Sequence, residues 1–198
     1  MQIIFATHNS GKIKEIKEIL AGLDVKIVSA KEVGITQPIP ETSATFSDNA
    51  LEKAYYVWDS KGGWVMADDS GICVRALNGR PGVYSARWAG ENVPGQKWVE
   101  KMLEEMKDVP VGKRYAWFET AVVLFFPDGD LQRYKGGVDG TITLAPRGEF
   151  NPTLPYDVIF QPEGESRTFA QMSSAEKNAI SHRGKAFAQL RDFIEKGY

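Results

Sequence analysis

Apolar residues fill positions 3–6 without a break, the pattern of a short buried strand. After Thr7-His-Asn-Ser-Gly the period changes, and Ile13, Ile16, Ile19 and Leu20 share one face of a helix starting at about Lys12. Residues 25–28 return to a short strand, and a proline-containing stretch at 37–40 leads to a second helix. Thr45 is placed to cap that helix with Asp48 at its third position, and Phe46, Ala50, Leu51, Ala54, Tyr55 and Trp58 repeat at helical spacing as its core face. A strand at 64–67 stops abruptly at Asp68-Asp69-Ser70-Gly71, which reads as the edge of a sheet.

The second half begins with Trp98, Val99, Met102, Leu103 and Met106 on one helical face, followed by a long strand at about 115–126. Asp128-Gly129 predicts a hairpin returning through 131–134, and Gly136, Gly137 and Gly140 are expected to break the chain before a strand at 142–144. Residues 156–160 read as a further strand. Ser173 with Glu176 forms a capping box, and Ser181 is placed to cap a last helix packed through Ala186, Phe187, Leu190, Phe193 and Ile194. Strands alternating with helices, then a hairpin, predict an α/β fold with a mixed sheet flanked by helices. No linker, repeat or low-complexity tail interrupts the chain, so one domain over residues 1–198 is expected.

Composition narrows the function. The net charge of −2, with 26 acidic against 24 basic residues, argues against a broad nucleic-acid footprint, so any anionic ligand must be gripped locally. No apolar run approaches the roughly 18 residues of a membrane span, and the first residues run into a strand without a basic leader, so a cytoplasmic protein with no membrane partner is expected. The single cysteine, Cys73, lies in an apolar run and reads as a core filler.

Three clusters carry chemistry. Thr7, Asn9 and Lys12 lie between a strand and a helix, where free backbone N–H groups and the positive helix end attract phosphate. The segment is not the common P-loop, which would need Gly at Ala6 and Ser or Thr at Ile13. Asp68 and Asp69 are adjacent carboxylates that repel unless a cation or a raised pKa relieves them, and a hard metal such as Mg²⁺ fits, with Glu41 able to complete its shell. The third cluster, Ser181-His182-Arg183-Gly184-Lys185 with Lys177 one turn earlier, places cations at a helix N-terminus, which is unfavourable unless an anion binds nearby. No Gly-x-Ser-x-Gly elbow and no zinc-ligand spacing is present.

Taken together, Thr7-His-Asn-Ser-Gly-Lys12, Glu41 with Thr45-Phe46-Ser-Asp-Asn49-Ala50, Ala67-Asp-Asp-Ser-Gly71, Gly82-Val-Tyr-Ser-Ala-Arg87 and Ser181-His-Arg-Gly-Lys-Ala186 resemble the inosine/xanthosine triphosphate pyrophosphatase family, Ham1-like. The resemblance implies a two-lobed α/β fold with a long mixed sheet and a cleft between lobes. It also implies a homodimer, and Mg²⁺-dependent cleavage of deaminated purine nucleoside triphosphates between the α- and β-phosphates. Carried over to this sequence, Asp69 is the expected general base, and Glu41 with Asp68 or Asp69 the expected magnesium ligands. Thr7, His8, Asn9, Ser10, Gly11, Lys12, Lys53 and Ser70 are expected to hold phosphates. Lys177, His182 and Arg183 are expected at the nucleotide, the last two reading the purine 6-oxo group.

One stretch departs from the family pattern. Thr153-Leu154-Pro155-Tyr156-Asp157-Val158 stands where the family usually has Gly-Phe-Gly-Tyr-Asp-Pro. Leu154 replaces an aromatic expected to stack on the base, a contact worth roughly 1–3 kcal/mol. Pro155 removes a backbone donor. Phe150 and Tyr156 are the rings that could substitute, and the preferred base is left open. Two alternatives differ from this reading. A Maf-like pyrophosphatase would open with a Ser/Arg-rich phosphate loop, unlike Thr7-x-Asn9-x-x-Lys12. An inactive nucleotide-binding module would have no need of a general base.

Overall fold

The computed structural model describes residues 1–90 and 92–197. Its strands are β1 (Gln2–Phe5), β2 (Lys26–Ser29), β3 (Trp64–Val74), β4 (Tyr115–Phe125), β5 (Leu131–Ile142) and β6 (Phe160–Pro162). Its α-helices are α1 (Ser10–Ile19), α2 (Phe46–Lys61), α3 (Gly95–Glu105), α4 (Ser174–Ile180) and α5 (His182–Glu195). The six strands form one mixed sheet in the order β2-β1-β3-β4-β5-β6, with β1 parallel to β2 and β3, and β5 antiparallel to β6. The expected α/β class is therefore the observed one. Among the described residues no helix is long and apolar enough to cross a membrane.

The chain divides into two compact units. The first comprises Met1–Asp69, Thr120–Gly136 and the segment from His182 onward; the second comprises Ser70–Glu119 and Gly137–Ser181. Ile3, Phe5, Ile16, Leu20, Ile27, Met66, Val122, Leu124, Phe187 and Leu190 fill the core of the first. In the second, Ile72, Val99, Met102, Met106, Phe118, Phe160 and Phe169 do the same. Each fully buried large side chain contributes about 1.5–3 kcal/mol relative to exposure, and this apolar packing is the main term holding each unit together.

The capping signals place the helices as expected: Thr45 accepts from the Asp48 N–H, and Ser173 and Glu176 bond reciprocally across the first turn of α4. Four expectations are corrected. The strand read at 64–67 does not stop at the aspartates; β3 continues to Val74 because both carboxylates find cationic partners inside the protein. β5 runs straight through Gly136, Gly137 and Gly140 and ends at Ile142. Two of these glycines serve close packing instead of a turn: a Cβ on Gly136 would overlap the His182 carbonyl oxygen and lie 2.8 Å from Ala186 N, and one on Gly140 would overlap the Gln161 carbonyl oxygen. The strand read at 156–160 is a 3-10 helix, Pro155–Val158, which begins on proline with its preset φ, and the strand proper is Phe160–Pro162. Finally, Tyr55 of α2 is 53% exposed, and the buried stripe of that helix is Phe46, Asn49, Ala50, Lys53, Ala54 and Val57.

Gly136→Ala is expected to destabilise the protein by about 1–3 kcal/mol, because the added methyl has to displace the first turn of α5. Gly112→Ala, where no atom lies within 4 Å of the new Cβ, serves as the control. Urea unfolding midpoints of the two variants check this, and equal midpoints would show that Gly136 is not a packing constraint.

Candidate active site

The loop from β1 into α1 is organised by its own side chains. Thr7 Oγ1 accepts from the Asn9 N–H at 3.2 Å, and Asn9, the N-cap, accepts from the Lys12 N–H at 3.1 Å. His8 Nε2 lies 2.9 Å from the Ile35 carbonyl oxygen, and Ser10 and Gly11 open the helix. The first turn contains no acidic residue, so the positive end of α1 is offset by no charge of its own.

β3 brings two carboxylates through the interior of the first unit, and the strand's period of two sends them to opposite faces. Asp68, fully buried, meets Lys12 Nζ at 3.0 Å through Oδ1 and Arg183 Nε at 3.3 Å through Oδ2. Arg183 in turn donates from Nη1 to Glu15 Oε2 at 2.6 Å. Glu15 is three residues beyond Lys12 on α1, so one helix face presents a cation and an anion together. Burial lowers the Lys12 pKa, working against the Asp68 charge that raises it.

Asp69 faces the other way. Asn49 Nδ2 donates to its Oδ2 at 2.9 Å, and Lys53 Nζ lies 3.5 Å from its Oδ1. Lys53 also bonds Glu41, whose side chain is 33% exposed, against 8% for Asp69, so the pair reaches solvent on the Glu41 side. Burial raises the Asp69 pKa, restrained chiefly by Lys53 and Lys12. Burial opposes the charge of Lys53, but Asp69, Glu41 and Asp68 outweigh it and its pKa is raised. A desolvated carboxylate with a raised pKa is a better proton acceptor than an ordinary aspartate, provided it remains ionised.

Glu41, Asp68 and Asp69 do not converge as a trio, and among the described residues no group of three or more His, Cys, Asp or Glu side chains is arranged to hold a metal ion. Glu41 and Asp69 instead converge on the Lys53 ammonium. Glu15 and Asn49 were not read from the sequence as site residues. The signal existed in both cases: each is polar at a position on the inward stripe of an amphipathic helix, beside Ile16 and beside Ala50.

The remaining expected residues are distributed over both units. His182 is buried at the start of α5 beside Arg183, and Ser70 is a half-buried member of β3. In the second unit Lys177 pairs with Asp157 at 2.5 Å, and both are buried. Tyr156 is buried and donates from its hydroxyl to the Ser85 carbonyl oxygen at 2.9 Å, so its ring is core and not an open stacking surface. Ser85 belongs to the Gly82–Arg87 3-10 helix and accepts from the Ile72 N–H, which gives that motif a structural place. Pro155 is buried against Gly95, Leu154 is half-buried, and Phe150 is 39% exposed, which leaves Phe150 as the more available ring of the two. Cys73 is buried, its thiol pushed up to about 11 by burial, as befits a core filler.

Fold and site define a class: an α/β protein with a capped, lysine-bearing helix entry and a desolvated carboxylate held beside a second lysine. Residues 3–193 match the model of the Ham1 family, and the chain belongs to that family. It is 44% identical over 196 residues to the dITP/XTP pyrophosphatase of Bacillus subtilis, spanning 98% of this chain and 97% of that one. It is 45% identical over 185 residues to the dITP/XTP pyrophosphatase of Gluconobacter oxydans, spanning 93% and 86% respectively. The solved structure of the Staphylococcus aureus Ham1 protein superposes with a TM-score of 0.87 at 35% identity, covering all of both chains.

Arg183→Met, which leaves the buried Asp68 with Lys12 as its one remaining cation among these pairs, is expected to cost about 3 kcal/mol of stability. Arg167→Met breaks an exposed pair with Glu176 and is expected to leave the unfolding midpoint nearly unchanged. Comparable midpoints for the two variants would remove the buried cluster as a stabilising element.

Proposed function

We propose that the protein is a nucleoside triphosphate pyrophosphohydrolase that removes deaminated purine nucleotides, ITP, dITP and XTP, by hydrolysis to the monophosphate and pyrophosphate. The observation that carries the reading is Asp69: a desolvated carboxylate braced by Asn49 and Lys53, on the strand whose neighbouring Asp68 holds Lys12 at the phosphate-type helix entry. The similarity to relatives named dITP/XTP pyrophosphatase supports the substrate class.

In this mechanism Asp69 accepts a proton from water while the water oxygen bonds to phosphorus. The P–O bond to the leaving group breaks with its electron pair on the departing oxygen, and Asp69 later releases its proton to solvent. Lys12, Lys53 and the positive N-terminal end of α1 bind the phosphates and offset the charge that develops as the bond breaks. Ser70, Thr7, His8, Asn9, Ser10 and Gly11 complete the phosphate-binding set in this proposal. Leu154, Pro155, Tyr156, Asp157, Lys177, His182 and Arg183 are proposed at the nucleotide side, Tyr156 acting through its packing.

Magnesium is proposed as the cofactor. Glu41 and Asp69 suit it: they are hard oxygen donors that already share one cation, Lys53. Mg²⁺ is commonly held by one or two carboxylates, with waters and substrate phosphates completing its octahedron. Asp68, with both oxygens paired, fits less well as a direct ligand. When bound, the metal supplies Lewis-acid neutralisation of phosphoryl oxygens. A cytoplasmic homodimer is proposed on the family resemblance.

The test is pyrophosphate and monophosphate release from inosine, xanthosine, guanosine and adenosine triphosphates, with and without Mg²⁺. Magnesium-dependent release favouring inosine or xanthosine is expected, with Asp69→Asn folded and losing most of it. Near-normal turnover by Asp69→Asn would remove Asp69 as the base, and no release from any nucleotide would sink the enzymatic reading. Because burial raises the Asp69 pKa, the acid limb of kcat/KM is expected above the ordinary aspartate value near 4, activity falling as pH drops through it. A limb at or below that value would contradict the assignment.

A further inference from the structure

Asp69 is held through an amide whose own orientation is fixed. Asn49 is completely buried on the inward stripe of α2. Its Oδ1 accepts the Ser43 backbone N–H at 2.8 Å, which turns Nδ2 toward Asp69, where it donates to Oδ2 at 2.9 Å. An amide flipped the other way would set Oδ1 against a carboxylate oxygen and Nδ2 against an N–H, so both bonds specify the same orientation. Ser43 lies two residues beyond Glu41, and the adjoining Thr42 is tied to α2 by Glu52, which accepts from its N–H and its hydroxyl at 2.8 Å each. One buried amide therefore joins the loop carrying Glu41, the helix carrying Lys53 and the strand carrying Asp69.

We propose that Asn49 is a positioning residue for Asp69: by donating to Oδ2 from a fixed amide it sets the plane of the carboxylate that accepts the proton of the attacking water. The proposal rests on the hydrolytic reading above and adds a residue to it. Asn49 touches neither substrate nor metal in this scheme and acts through Asp69 alone. Without this bond the carboxylate loses one of the contacts that set its plane, the pair with Lys53 remaining. A misplacement of this kind lowers kcat by about a hundredfold while binding is preserved.

The experiment uses two variants. Asn49→Leu removes both ends of the amide, and Asn49→Asp keeps an acceptor for the Ser43 N–H but loses the donor to Asp69, so it separates positioning from fold should the leucine variant fail to fold. Both are expected to lose kcat by about a hundredfold with KM changed less than about threefold. In an Asp69→Asn background, either substitution is expected to change the residual rate by less than about twofold, since the residue acts through a base that is already gone. A kcat for Asn49→Asp within threefold of wild type, or full multiplicative losses in the Asp69→Asn background, would overturn the proposal. A readout independent of turnover is the Asn49 side-chain amide in the NMR spectrum, whose Nδ2 proton is expected to shift in Asp69→Asn. An unmoved resonance overturns the positioning role even if wild type hydrolyses no nucleotide, an outcome that would by itself overturn only the hydrolytic reading.

Discussion

Two adjacent carboxylates inside a β-strand impose the condition that organises the first unit. An ionised carboxylate removed from water costs several kcal/mol unless a partner is built in, and β3 carries two in succession. The strand's alternation divides the direct contacts between its two faces. Lys12 and Arg183 answer on one side and Lys53 on the other, so α1, α5 and α2 each contribute a positive side chain to the same strand. Arg183 is satisfied in turn by Glu15, and Asp69 by Asn49. Within the first unit these ion pairs tie three helices to one strand.

Much of this was legible in the sequence, and the failures have identifiable causes. Local signals survived folding: the Ser173–Glu176 box, the Thr45 cap and the apolar faces of α1, α3 and α5 depend on residues within a turn or two of each other. The errors came where a distant partner changes the meaning of a residue. Asp68-Asp69-Ser70-Gly71 has turn composition until Lys12, Lys53 and Arg183 neutralise the acids. Gly136 and Gly140 read as breakers until the backbone of His182 or Gln161 is seen occupying the space a side chain would need.

The site follows the same division. Lys12, Lys53, Asp68 and Asp69 were named from motifs, and the structure adds how they are paired. Glu15 and Asn49 escaped because a lone polar residue on a helix stripe is ordinarily solvated, and its inward direction emerges only from the packing of α1 and α2. Tyr156 shows the opposite case: its place in the motif suggested a ring available to a base, but its hydroxyl closes onto Ser85 inside the second unit's core.

The Pro155–Gly95 contact has an evolutionary consequence. Any side chain on Gly95 would put its Cβ 2.8 Å from the proline ring, so the glycine of α3 provides the room that Pro155 fills. The proline at position 155 is thus accommodated by a neighbour within the same unit. A bulkier residue at position 95 is therefore tolerated only where the ring at position 155 is given up.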